Sequence, residues 1–205
     1  MKRLIAKFFA APLLAAMVGI PQVTSAAAAT GATSWPMLGR NPQHTADSTD
    51  FTPNSSTAPT LGLNWMSNLH AADLGSPVVA FNTVLNKTVI YVGDENGDVF
   101  AFDESNGQQL WGVNLGLGDP FRATPAVGPN GSVWVASAYG ATVTALSGAT
   151  GKTLCSKRLI ASIDASPMIA TPPGGVLTVY TGTNDGDRLR WSHRSGRSNG
   201  ARACW

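Results

Sequence analysis

Between Val89 and Leu115 apolar and polar residues alternate in short runs broken by glycine turns, VIYVGDENGDVFAFDESNGQQLWGVNL. Alternation at a period of two marks strands, and Asn96-Gly97 and Ser105-Asn106-Gly107 join them as hairpins, because glycine accepts the positive φ of a tight turn. A second stretch, VWVASAYGATVTALSGATGKTLCSKRL, begins 44 residues later and aligns without gaps. Asn96 falls on Gly140, Ala101 on Ala145, Gly107 on Gly151 and Trp111 on Cys155. Each unit opens on a small residue and proline, at Ser76-Pro77, Thr124-Pro125 and Ser166-Pro167, and these prolines lie 48 and 42 residues apart. The first unit predicts strands near Pro77–Phe81, Thr88–Gly93, Asp98–Asp103 and Gln109–Leu115. The second predicts Thr124–Gly128, Ser132–Ser137, Thr142–Ser147 and Lys152–Arg158. The third supplies Ser166–Ala170 and Val176–Gly182 before a turn at Asp185-Gly186.

Four antiparallel strands per repeat of this length describe one sheet of a radial β-repeat. The fold class is therefore all-β, a partial β-propeller of about two and a half four-stranded antiparallel blades. Leu61–Leu69 (LGLNWMSNL) also alternates, with Leu61, Leu63 and Trp65 on one face. It reads as the outer strand of a preceding blade, or as a strand that closes a ring. After Asp187 the pattern fails: residues 187–205 carry five arginines and neither Val nor Ile. The shift reads as a change of reading frame or a broken gene, with a genuine disordered basic tail as the other possibility. A ring of seven or eight such sheets needs on the order of 310–350 residues, more than this chain has. The sequence thus predicts an open, poorly soluble arc that self-associates, with Val176–Gly182 presenting an unpaired edge.

The start of the chain changes the picture of where it works. Lys2, Arg3 and Lys7 precede an apolar run of 13 residues, Phe8 to Ile20, and small residues follow at Ser25-Ala26-Ala27-Ala28-Ala29. That order describes a secretory signal over residues 1–29, too short and too broken by Pro12 for a membrane span of roughly 20 residues. The expected location is periplasmic or extracellular, with no membrane span once the signal is cleaved. Residues 30–60 read as an irregular arm, in which Trp35-Pro36 pins a segment to a surface, and residues 61–186 hold the repeats. Formal net charge is +2 with 13% charged residues, and much of the basic charge sits in the signal and the tail. No basic patch tracks phosphates, so nucleic acid is excluded as a partner.

Candidate chemistry is sparse. Cys155 and Cys204 can pair in an exported protein, but Cys155 stands where the repeat has an aromatic residue and reads as a small buried hydrophobe. His44 has no second ligand at metal spacing. Asp94-Glu95-Asn96-Gly97-Asp98 opens like a calcium loop, yet Val99 and Ser105 stand where the loop needs glycine and glutamate, so it reads as a polar hairpin turn. Asn54-Ser55-Ser56 and Asn86-Lys87-Thr88 match the glycosylation acceptor pattern.

Ala101, Asp103, Gly107 and Trp111, in the order Ala-x-Asp-x-x-x-Gly-x-x-x-Trp, are similar to the tryptophan-docking motif of pyrroloquinoline-quinone (PQQ)-like β-propeller repeats. The Trp35-Pro36 segment resembles the arm before the first blade in many such proteins, and the resemblance runs from about Trp35 to Gly186. The second unit departs from it, with Cys155 for the Trp and Ser147 for the Asp. The resemblance implies that Trp111 packs between blades, which makes these four residues structural, and that docking through Cys155 is weaker. It also implies two classes of function. One is a non-catalytic binding or scaffold protein with a protein or small-molecule partner. The other is a fragment of a quinoprotein dehydrogenase oxidising alcohols or sugars, with PQQ and calcium as cofactors. The enzymes of the family carry adjacent cysteines, calcium ligands and a catalytic Asp on a longer chain. No residues here resemble those, so no catalytic, cofactor or metal residue is assigned and the non-catalytic reading is preferred.

Overall fold

The computed structural model describes residues 34–48, 54–116, 119–172, 176–186 and 188–193, the last of these as backbone. The readings made on the secretory signal, on Cys204 and on the end of the arginine-rich tail lie outside them. All described residues fall within one unit, Ala32–Trp205.

The two glycine-punctuated repeats fold as two four-stranded antiparallel sheets. In the first, β1 (Val78–Asn82), β2 (Lys87–Gly93), β3 (Asp98–Asp103) and β4 (Gln109–Asn114) lie in chain order. The second repeats the order with β5 (Ala126–Val127), β6 (Ser132–Ser137), β7 (Thr142–Ser147) and β8 (Thr153–Arg158). A third sheet holds β9 (Met168–Ala170), β10 (Leu177–Gly182) and β11 (Arg188–His193), with β10 in the middle. The register repeats as well. Ala101 pairs with Trp111 and Ala145 with Cys155, and each ladder has a bulge just after its alanine.

Packing follows from which faces are apolar. Side chains alternate between the two faces of a strand, and in β6 both sets are buried. Val133 and Val135 join Val78, Val89, Tyr91 and Val99 of the first sheet in one core. Trp134 and Ala136 join Ile169 and Val179 of the third sheet in another. The second sheet is therefore enclosed on both faces at β6, which explains why that strand reads as a near-continuous apolar run. The arm crosses the inner strands. Trp35 exchanges backbone hydrogen bonds with Val79, and Val127 N–H donates to the Pro36 carbonyl at 2.7 Å. Met37 is buried in the core between the second and third sheets, whereas Trp35 is only half-buried. The arm is thus held by backbone bonds and Met37 more than by the Trp35 ring.

Three expectations need correction. Leu61–Leu69 is not a strand of any sheet. Strand structure does not stop at Asp187, because Arg188–His193 pairs along β10 from Gly182↔Arg188 to Leu177↔His193. Residues 177–182, read as an unpaired edge, consequently have a neighbour on both sides. Ladder bonds are made by backbone N–H and C=O groups, and Arg188-Leu189-Arg190-Trp191 still alternates polar and apolar residues, so a strand forms despite the change in composition.

Candidate functional site

The residues singled out by the repeat do not converge on a cavity. They divide between two sheet-to-sheet junctions. Trp111, on β4, reaches across to the turn that follows β7. Its indole N–H donates to the Gly148 carbonyl at 2.9 Å. Its ring covers Gly151, where an added Cβ would lie 2.7 Å from the ring atom Cε3. Gly151 also has φ +69°, so the turn and the close approach both require glycine. The Gly148 carbonyl accepts a second bond from the Tyr91 hydroxyl at 3.1 Å, and that hydroxyl takes one from Asn82 at 3.0 Å. Burial pushes the Tyr91 phenol pKa up, only partly offset by the Asn82 bond.

Gly107 belongs to the other junction. The ring that covers it is Trp65, whose indole N–H donates to the Glu104 carbonyl at 2.8 Å. A Cβ at Gly107 would collide with the Trp65 ring. The two junctions are the same arrangement shifted by one repeat, since Glu104 and Gly107 stand 44 residues before Gly148 and Gly151. Ala101, fully buried, is the register partner of Trp111. Asp103 shapes the turn beneath Trp65. Its carboxylate accepts from the Ser105 N–H and hydroxyl and pairs with Lys87. The Lys87 and Ser105 bonds hold its pKa down at about 2.

Trp65, Tyr91 and Gly148 were missed by the sequence reading. For Trp65 the signal was present, an aromatic residue near the end of an alternating run before a unit. Nothing in the local sequence marks Gly148, which is glycine because a Cβ there would lie 2.6 Å from the Gly131 carbonyl oxygen. Cys155 requires a correction. It is disulfide-bonded and half-buried rather than a small buried hydrophobe.

The loops joining second to third strands, and each sheet to the next, carry the remaining polar chemistry. Asp94 accepts from the N–H groups of Asn96 and Asp98 at 3.0 Å and of Ala71 at 3.2 Å, so its carboxylate organises a polar turn. In the second sheet Ala138 stands in its place, and Asp119 reaches in from the connector to accept from Tyr139 and Gly140. Asp119 also borders a cleft of about 190 Å³ lined by Leu115, Ser137, Thr142, Thr144 and Ser156. Asp73 is raised in pKa by burial, with the nearby Asp94 charge adding to the effect. Arg122 lies 3.6 Å from Glu95 and over the ring of Tyr139. Leu74, Tyr139 and Ile160 on these loops are largely exposed. Among the described residues no three His, Cys, Asp or Glu side chains are grouped to hold a metal ion. Nor is any described helix long and apolar enough to cross a membrane.

Comparison with known proteins gives the same architecture. No curated protein sequence matches the chain. Among solved structures it is similar to a quinohemoprotein alcohol dehydrogenase, ADHIIG, from Pseudomonas putida HK5, at 18% identity and TM-score 0.61, over 78% of this chain and 25% of that one. A europium-containing methanol dehydrogenase matches at 18% identity and TM-score 0.56, over 80% of this chain and 32% of that one. BamB from Moraxella catarrhalis matches at 22% identity and TM-score 0.48, over 63% and 36%. The chain thus spans about a quarter to a third of the length of these proteins. A family model described as outer membrane protein assembly factor BamB matches residues 20–154 and 95–199. With its stacked antiparallel sheets and its repeated tryptophan-on-glycine junctions, the chain belongs to this family of PQQ-like β-propeller repeat proteins.

Proposed function

We propose that this is an exported, non-catalytic propeller repeat protein that acts as a scaffold and binds a partner protein through its loop face. One observation carries the reading. The most specific residues of the repeat, Trp111 and Gly107 with Trp65, are engaged in holding one sheet against the next. The loops that remain present exposed Leu74, Tyr139 and Ile160 together with the Arg122–Glu95 pair, a mixture of apolar and charged groups suited to a protein surface. The match to a family model described by an assembly factor supports the same class.

The similarity in fold to two alcohol-oxidising enzymes favours a second reading, a fragment of a PQQ-dependent dehydrogenase with calcium. Incubation of the protein with PQQ and calcium, followed by gel filtration, separates the two. The scaffold reading expects no quinone absorbance in the protein peak. Stoichiometric co-elution would overturn it in favour of the enzyme fragment.

A further inference from the structure

At two successive junctions the same place in the repeat is filled in one and open in the other. Leu69 and Leu115 each follow a docking tryptophan, Trp65 or Trp111, by four residues. Leu69 packs against the cluster that holds Phe100, and His70 meets the Phe100 ring in a T-shaped contact with ring centres 5.2 Å apart. Phe100 pairs with Gly112, where an added Cβ would lie 3.0 Å from the Phe100 ring. One repeat on, Thr144 stands for Phe100 and Ser156 for Gly112. The aromatic ring is gone, the two small residues hydrogen-bond to each other at 2.9 Å, and the cleft of about 190 Å³ opens beside Leu115. Protein interiors are close-packed, so space at a place that the preceding unit fills with phenylalanine is a specific departure from the repeat.

We infer that this cleft is a binding site for a small neutral polyol, no larger than one sugar ring. Ser137 and Thr144 are buried and Ser156 is exposed, so the cleft has a floor and a mouth on the β8 side. Ser137 donates its hydroxyl proton to Asp119, and Thr142 donates its own to the Gly140 carbonyl at 2.8 Å. Both oxygens therefore offer lone pairs to a ligand. The Thr144–Ser156 pair uses one proton for its mutual bond and keeps the other to donate. A partner that donates and accepts at closely spaced atoms is a polyol. Asp119 holds the arrangement in place, accepting also from the N–H groups of Tyr139 at 3.1 Å and Gly140 at 2.8 Å. A Cβ at Gly140 would collide with that carboxylate, so the glycine makes room for it. The single negative charge disfavours an anion, and among the described residues no three groups are placed to hold a metal ion. Leu115 and Phe121 complete the lining and suit the C–H face of a sugar ring. The volume falls below the roughly 300–1,000 Å³ of sites for drug-sized ligands, which sets the size limit. None of these hydroxyls belongs to the docking motif or to the exposed loop residues, so the site stands apart from the scaffold reading.

Titration of the isotope-labelled chain with glucose and with glycerol, followed through amide chemical shifts, tests this. Saturable shifts are expected at Ser137, Thr144 and Ser156, with a glucose dissociation constant on the order of 1 mM, as a ligand of few atoms gives. Tetrahydropyran, the same ring without hydroxyls, should give none. Thr144→Phe and Ser156→Gly, introduced together, copy the pair that the first sheet already holds, so the fold should survive and binding should vanish. Thr144→Val keeps the shape, removes one hydroxyl and should weaken binding about 5- to 10-fold. Absence of saturable shifts with both polyols, an equal response to tetrahydropyran, unchanged affinity in Thr144→Val, or binding that survives the paired substitution would each overturn the proposal. The titration contains no quinone, so its outcome is independent of the dehydrogenase reading.

Discussion

The indole of Trp111 does two things at once, covering Gly151 and donating to a carbonyl that Tyr91 also satisfies. Removing it leaves a gap over the glycine and takes one of two donors from a buried acceptor. Because the ring is half-buried, Trp111→Ala should cost about 2–4 kcal/mol, near the lower end for large aromatic truncations. Trp111→Phe should keep most of the packing and lose about 1 kcal/mol with the N–H donor. Urea unfolding measures both, and a loss near zero in Trp111→Ala would place the junction's stability elsewhere. Asp103 gives a different signature. Its pKa is about 2 in the fold against an ordinary 3.8, chiefly through the bonds from Lys87 and Ser105. A depressed carboxylate stabilises the fold above its unfolded value, and that stability is lost as pH falls from about 4 toward 2. Melting temperature should therefore decline across that window in the parent protein. In Asp103→Asn the melting temperature should start lower at pH 7 and decline less. An identical profile in the variant would show that other carboxylates control acid unfolding.

At the level of strands and turns, the fold was legible wherever local chemistry sets it. Asn96-Gly97 and Ser105-Asn106-Gly107 announce their hairpins because only glycine fits φ of +82° and +70°. The Leu61–Leu69 alternation suggested a strand but could not reveal that no ladder forms, since pairing depends on what lies beside a segment. β11 was missed although Arg188-Leu189-Arg190-Trp191 alternates polar and apolar residues, because the run of arginines hid that period. The docking residues were half legible. Trp111 and Gly107 stand in one motif, yet the structure assigns them to different junctions, a division that only three dimensions display. Cys155 shows the same limit. It stands in the register of Trp111, opposite Ala145, and is disulfide-bonded where the first sheet has an indole. Reduction should therefore destabilise the protein by about 2–4 kcal/mol, the ordinary worth of a disulfide. Calorimetry with and without a thiol reductant checks it, and Cys155→Ser should reproduce the reduced value. An unchanged melting temperature would mean that the bond contributes nothing to stability.

Across the whole molecule, stability should be graded rather than uniform, because each sheet gains its burial from neighbours. The second sheet is covered on both faces, by Val78, Val89 and Tyr91 on one side and by Ile169 and Val179 on the other. All six residues of β6 are buried. The far face of the first sheet has a smaller cluster, Val92, Phe100 and Phe102, against which Leu69 packs. Among the described side chains, the third sheet contributes Ile169 and Val179 to the buried core. Local opening free energy follows buried contact, so amide exchange should rank the sheets. Slowest exchange is expected at Val133, Val135 and Val143, intermediate exchange in β2 and β3, and faster exchange in β9 and β10. The amides of Gly62 to Leu69, which have no ladder partner among the described residues, should exchange fastest of all. Hydrogen exchange read by mass spectrometry resolves these segments. Equal protection in all three sheets would show that they unfold as one cooperative block and that stacking is not the unit of stability.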